Sequence, residues 1–239
     1  MVKICFFGTD RFVDPVREVL ENNFELADDV KMSDLIVVAS YGKILSKEIL
    51  NTPKYGAINI HPSDLPKYRG PSPIQTQILD GVRESKVTFI KMDEKVDHGP
   101  VLYKVPFKIS DDDTFQSAVT RAFGVGAENI LHVIQRYVNN QIELVVQDDS
   151  KATFTKILTK KDGFIDFNDP PDVQKINNMT KAFYPWPGVW FKAKLNEKEQ
   201  TIKLLPGEKV QVEGKNPMSY KDFINGYEKG REVLQKLGL

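Results

Sequence analysis

The run "DLIVVAS", residues 34–40, constrains this chain most, because Leu35, Ile36, Val37 and Val38 are apolar in unbroken succession. A strand with one wet face alternates. An unbroken apolar run belongs instead to a strand covered on both faces, as in parallel sheets flanked by helices. The neighbouring segments keep to that plan. "VKICFF" is a short buried run ended by Gly8, and "RFVDPVREVLENN" then sets Phe12, Val16, Val19 and Leu20 at helical spacing. "GAINIH" is a further strand, and "PIQTQILDG" is a helix with Pro73 in its first turn and Gly81 past its end. "KVTFIKMD" and "VLYKVPFKI" are two more strands, and residues 114–139 form a long helical pattern weakened at Gly124 and Gly126. The alternation predicts an α/β fold with a doubly wound, mostly parallel sheet over residues 1–150.

The texture then changes. Residues 151–171, ending in "NDPP", are polar and lysine-dotted and are expected to be a linker. Residues 172–239 predict a small α+β unit: a helix "DVQKINNMTKAF", a turn "YPWPG", two strands "VWFKAKL" and "TIKLLP", and one closing helix from Ser219. A unit of this size has little core of its own and is expected to pack on the first domain. Charge is balanced overall, but residues 1–171 carry a small acidic excess and residues 172–239 a matching basic one. That basic excess suits either an anionic partner or an ordinary solvated surface. The single cysteine, Cys5, lies in an apolar run and predicts a buried hydrophobe in a reducing compartment. No stretch approaches a membrane span or a secretory signal, so a cytoplasmic location without membrane attachment is expected. Neither His98 nor His132 has a neighbour at ligand spacing, and no metal is expected.

The chemistry gathers in "AINIHPSDLPKYRG", residues 57–70. Side chains two apart on a strand share a face, so Asn59 and His61 project together at the sheet's carboxyl edge, where open α/β sheets bind ligands. A later loop, "MDEKVDHGPVLYK", brings Asp97 to the same edge. An amide, an imidazole and a carboxylate in one cleft suit acyl transfer: two donors steady a developing oxyanion while the acid orients the ring or takes a proton. Plainer readings stand beside each residue. Asp97 is also a common turn residue, Ile44 and Leu45 suit a core, and the proline-rich loop suits a rigid surface turn with Arg69 solvated.

The combination of "NIHPSDLPKYRGPSPIQ" with "MDEKVDHGPVLYK" resembles the folate-dependent formyltransferases, whose signature is Asn, His and Asp in that order with a Ser-x-Leu-Pro loop after the His. "AFYPWPGVW" and "VQVEGKNPMSYKDFING" are similar to the C-terminal region of the methionyl-tRNA formyltransferase branch, so the resemblance runs from Met1 to about Gly230. It implies a Rossmann-like catalytic domain with an abbreviated C-terminal unit. It also implies a formyl donor, 10-formyltetrahydrofolate, and an amine acceptor, methionyl-initiator tRNA. Asn59, His61 and Asp97 become the expected catalytic residues. Ser63, Asp64, Leu65 and Pro66 become a folate-contacting loop, with Lys43, Ile44 and Leu45 of "SYGKIL" lining the pterin through backbone atoms.

Departures from the family pattern keep other acceptors open. Between the first helix and "DLIVVAS" stand only the residues "FELADDVKMS", where longer family members carry further strand and helix units and a basic tRNA-contacting loop. Right-handed crossover then requires "FEL", residues 24–26, to survive as a stub edge strand beside the first strand. The C-terminal unit lacks the middle of the family's β-barrel, so a closed barrel is not expected. Asp64 also stands where the family has an apolar residue. Formylation of a small amine, such as an amino sugar nucleotide or glycinamide ribonucleotide, is the alternative. A non-catalytic RNA-binding relic of the fold is the third possibility.

Overall fold

The computed structural model describes residues 2–196 and 198–239. It divides into two compact units. One holds the chain up to Ile74 with Arg83–Ser110 and Ser117–Lys156; the other holds Gln75–Val82, Asp111–Gln116 and Ile157–Leu239.

The first unit contains β1 (Lys3–Phe7), α1 (Asp14–Asn23), β2 (Glu25–Leu26), β3 (Leu35–Val38), α2 (Lys47–Asn51) and β4 (Ala57–His61). Later come α3 (Pro73–Leu79), which starts there and continues into the second unit, β5 (Glu84–Lys91), β6 (Val101–Lys108) and α4 (Phe115–Val138), whose first two residues belong to the second unit. Six strands form one sheet in the order β2-β1-β3-β4-β5-β6. The pairs β1–β2, β1–β3 and β3–β4 are parallel, and β4–β5 and β5–β6 are antiparallel. The stub strand is present: Lys3 pairs with Glu25 and Ile4 with Leu26. Chain order therefore reverses direction between β1 and β3, the switch point outside which such sheets open a crevice.

The unbroken run of β3 is covered on both faces, with Leu35, Ile36 and Val37 fully buried and Val38 nearly so. Each such side chain contributes about 1.5–3 kcal/mol on leaving water. β4 is buried along its whole length, so its two faces divide the work. Ile58 and Ile60 point one way, Asn59 and His61 the other. α4 runs unbroken for 24 residues, with no interruption at the two glycines expected to weaken it. Gly126 explains the difference. A Cβ there would stand 3.0 Å from the Ile60 methyl, so the glycine lets the helix lie close against β4. The burial of Ala122, Phe123, Ile130 and Ile134 along the same face outweighs its poor helix propensity of about 1 kcal/mol.

The second unit carries α5 (Val173–Ala182), β7 (Val189–Leu195), β8 (Lys198–Leu205), β9 (Lys209–Val212), β10 (Met218–Ser219), α6 (Tyr220–Gly226) and α7 (Gly230–Lys236). Its sheet is antiparallel in the order β10-β9-β8-β7. This extends the expected hairpin to four strands. β9 is hidden in a polar stretch of sequence because only Val210 and Val212 of "KVQV" turn inward. The single closing helix is in fact two, since Tyr227 takes an extended backbone and Gly226 and Gly230 weaken the helix around it. A core of Ile176, Phe191, Ile202, Val210, Phe223 and Leu234 fills this unit.

Candidate active site

β4 delivers Asn59 and His61 to the carboxyl edge, and the loop between β5 and β6 delivers Asp97. The three side chains meet. Asn59 Nδ2 donates to Asp97 Oδ1 at 3.1 Å, and His61 Nδ1 stands 3.5 Å from that same oxygen. The other oxygen, Asp97 Oδ2, accepts the Gly70 N–H at 2.7 Å. Asn59 and His61 are buried, and the Asp97 side chain is 13% exposed. Their polar contacts therefore act where water screens them poorly.

The remaining ring nitrogen fixes the imidazole. His61 Nε2 lies 2.9 Å from the Tyr68 carbonyl oxygen. A carbonyl only accepts, so Nε2 carries a hydrogen and donates it. Nδ1 is left as the nitrogen that faces the carboxylate and can take up or hold a proton there. Asp97 itself sits at φ 48°, in the left-handed region that Asp tolerates better than most residues.

The Ser-x-Leu-Pro loop is anchored internally. Ser63 is fully buried; its Oγ donates to the Lys67 carbonyl at 2.7 Å and its own carbonyl accepts from Thr88 Oγ1 at 2.6 Å. Leu65 packs in a small cluster with Ile90 and Val101. Pro66 and Leu65 line a cavity of about 410 Å³ together with Tyr103, Lys104 and Gln147. Asp64 is engaged by two lysines, Lys104 at 2.6 Å and Lys86 at 3.2 Å. Burial pushes its pKa up, but the hydrogen bonds from Lys104 and Lys86 outweigh that and leave it below the ordinary carboxylate value. The residue that departs from the family pattern thus pins the loop to β5 and β6.

The "SYGKIL" residues divide. Leu45 is a core residue packed with Cys5, Ile36, Val38, Leu50 and Ala57. Ile44 is 80% exposed, and Lys43 Nζ lies 5.6 Å above the Tyr41 ring. A salt bridge of 2.7 Å from Lys47 to Glu94 holds this segment to the loop that carries Asp97. A second cleft, about 670 Å³, opens beside Gly70, Val96, His98 and Phe154.

Several contributors carry no sequence signal. The Tyr68 carbonyl and the Gly70 N–H are backbone groups, which any residue supplies. Arg69 is not a solvated loop residue: it is 3% exposed, donates to Asp149 Oδ1 at 2.9 Å and pairs its backbone with Thr153 and Thr155. The partners of a buried arginine can be distant in sequence, and these are. Among the described residues no group of three or more His, Cys, Asp or Glu is placed to hold a metal ion.

Fold and site together define a class: α/β proteins that set an amide, an imidazole and a carboxylate around one small space at a sheet's carboxyl edge. Residues 12–134 match the family described as Formyl transferase, and residues 157–210 match the family of its C-terminal domain. The chain belongs to the formyl transferase family. A methionyl-tRNA formyltransferase of Roseiflexus castenholzii is 41% identical over 155 residues, which cover 65% of this chain and 49% of that one. Another, from Caldicellulosiruptor saccharolyticus, is 35% identical over 238 residues, covering 87% of this chain and 75% of that one. The chain thus spans about half the length of the first of these relatives. Among solved structures, a methionyl-tRNA formyltransferase from Clostridium thermocellum superposes with a TM-score of 0.70 at 18% identity, covering 91% of this chain and 98% of that one. Aquifex aeolicus HypX in complex with tetrahydrofolic acid gives a TM-score of 0.69 at 18% identity, over 89% of this chain and 42% of that one. At these identities the structural likeness concerns the fold.

Proposed function

We propose that this chain transfers a formyl group from 10-formyltetrahydrofolate to the amino group of methionyl-initiator tRNA, in the cytoplasm. The observation that carries the proposal is the convergence of Asn59 Nδ2 and His61 Nδ1 on one Asp97 oxygen. The chemistry of the surrounding residues fits a folate. Ile44 and Val96 expose apolar surface on the two segments joined by the Lys47–Glu94 pair, as a flat heteroaromatic ring requires. The donor, when bound, supplies an activated formyl carbon.

The protein's own residues do the rest. Asn59 has a second amide hydrogen beyond the one given to Asp97 and donates it to negative charge growing on the formyl oxygen, while protonated His61, its Nδ1–H facing Asp97, adds its positive charge beside that oxygen. Each such donor is worth roughly 3 kcal/mol in comparable sites. Asp97 holds both donors in place and accepts the proton that the attacking amine must lose, directly or through water.

The tRNA acceptor draws support from the second sheet. Trp190, Lys192 and Lys194 alternate with the buried residues of β7, and Lys203 stands opposite Trp190 on β8. Lys160 Nζ lies 5.6 Å above the Trp190 ring. A lysine-bearing face is suited to phosphates, while the Trp190 ring itself packs on Phe164 at 4.8 Å between centroids and gives its N–H to the Lys160 carbonyl.

One observation favours a small amine instead. The segment joining α1 to β3 is short, and it carries Glu25, Asp28, Asp29 and Asp34 against Lys31, which leaves no basic loop there for RNA. Incubation with 10-formyltetrahydrofolate and charged initiator tRNA, beside amino sugar nucleotides and glycinamide ribonucleotide, separates the readings by which acceptor is consumed. Consumption of a small amine alone overturns the tRNA proposal. No turnover, with tRNA binding unaltered in His61→Ala, favours a non-catalytic RNA-binding protein.

A further inference from the structure

Gln147 lies 50 residues beyond Asp97 in the chain, yet its side chain closes a hydrogen-bonded circuit around it. Its Nε2 donates to the Asp97 carbonyl at 2.9 Å and to the Gly99 carbonyl at 2.7 Å. Its Oε1 accepts from Arg69 Nε at 3.2 Å and Arg69 Nη2 at 2.9 Å. Arg69 is fixed in turn by its backbone, donating to the Thr153 carbonyl and accepting from the Thr155 N–H. The next residue, Gly70, gives its N–H to the Asp97 carboxylate. Main chain and side chain of Asp97 are thus tied to one short segment, residues 69 and 70. Arg69 and Gln147 are both buried, so neither bond set competes freely with water.

We propose that Gln147 is a positioning residue for formyl transfer, holding Asp97 in its left-handed backbone conformation so that its carboxylate stays on Asn59 and His61. The inference rests on the catalytic reading of that trio. Only a glutamine satisfies all four bonds. Two carbonyls need a group with two hydrogens, and two guanidinium N–H groups need an acceptor on the same side chain. Glutamate keeps the acceptor and sets a carboxylate against two carbonyls. Asparagine falls one methylene short. Arg69 remains seated by its backbone in either variant, so Gly70 stays while Asp97 drifts from it.

The test compares parent, Gln147→Glu and Gln147→Asn in steady-state kinetics and in amide hydrogen exchange at Gly70. Supporting groups of this kind change activity about 10–100-fold. The expected result is kcat down about 100-fold in Gln147→Glu and about 10-fold in Gln147→Asn, with both KM values within about threefold of the parent. Gly70 exchange should quicken at least about tenfold as its acceptor leaves. Folded variants with parental kcat, or raised KM at unchanged kcat, overturn the proposal. Unchanged Gly70 protection overturns it as well. If the parent consumes no acceptor at all, the functional reading fails, and the exchange measurement by itself still decides whether Gln147 holds Asp97.

Discussion

His61 has one nitrogen to work with, because the Tyr68 carbonyl holds the other. On the proposed mechanism, a ring variant that cannot carry a proton at Nδ1 loses the cation beside the oxyanion, and Asn59 or Asp97 truncation removes the amide donor or the base. Each of His61→Ala, Asn59→Ala and Asp97→Ala should lower turnover at least about 100-fold at saturating substrates. A rate near parental removes that residue from the mechanism. Asp64 makes a different prediction, about stability. Its pKa is below the ordinary value when folded, so its stabilising contribution is fully present above about pH 4 and is lost as pH falls through the folded value. Asp64→Asn should therefore lower Tm by about 2 °C or less near pH 7, since the pair is partly solvated, and by less at an acidic pH where the carboxyl is protonated in the folded protein. Equal losses at both pH values would assign the effect to packing instead. The same residues mark what the sequence discloses. Asn59 and His61 are legible because strand periodicity puts them on one face, and Asp97 because it sits in a loop at the same edge. Arg69 and Gln147 are not, since their meeting depends on chain separated by 78 residues, which no local pattern encodes.

The glycines of α4 show how elements are fixed against one another. A Cβ at Gly124 meets nothing within 4 Å, while one at Gly126 presses the Ile60 side chain. Ile60 neighbours both Asn59 and His61 on β4. Gly124→Ala should raise Tm by about 2–4 °C, the return on roughly 1 kcal/mol of helix propensity. Gly126→Val should lower it by about 5 °C through overpacking and should lower kcat as well, because the strand that carries the site is displaced. A stabilising Gly126→Val would mean that α4 does not press on β4. Helix periodicity in 114–139 is plain from the sequence, but composition treats both glycines alike. Only the packed structure distinguishes the one with open space beside it from the one that faces Ile60. The same limit hides β9 and the division between α6 and α7. Four residues with two inward valines carry too little periodicity to stand out, and a helix break depends on what its two halves pack against.

For the molecule as a whole, charge bears on the proposed tRNA acceptor. The net charge is zero, so general attraction to a polyanion is absent and the proposed binding to tRNA would have to come from a localised surface. The sequence shows a basic excess toward its end, but not that Lys192, Lys194 and Lys203 share the outward side of one antiparallel sheet with Trp190. Each RNA phosphate that no longer meets a lysine should reduce the slope of log K against log salt by roughly 0.7–0.9. The combined variant Lys192→Gln, Lys194→Gln and Lys203→Gln should therefore weaken tRNA binding at low salt and flatten that slope by about 2. Lys192 already spends part of its charge on Glu199 at 3.4 Å, so the change should fall short of what three unpaired lysines would give. Formylation of any small amine that the parent accepts should be unaffected, because none of these lysines bonds to Asn59, His61 or Asp97. A salt slope identical to the parent's would mean that this face does not touch RNA. The abbreviated segment between α1 and β3 would then be a sign of a smaller substrate.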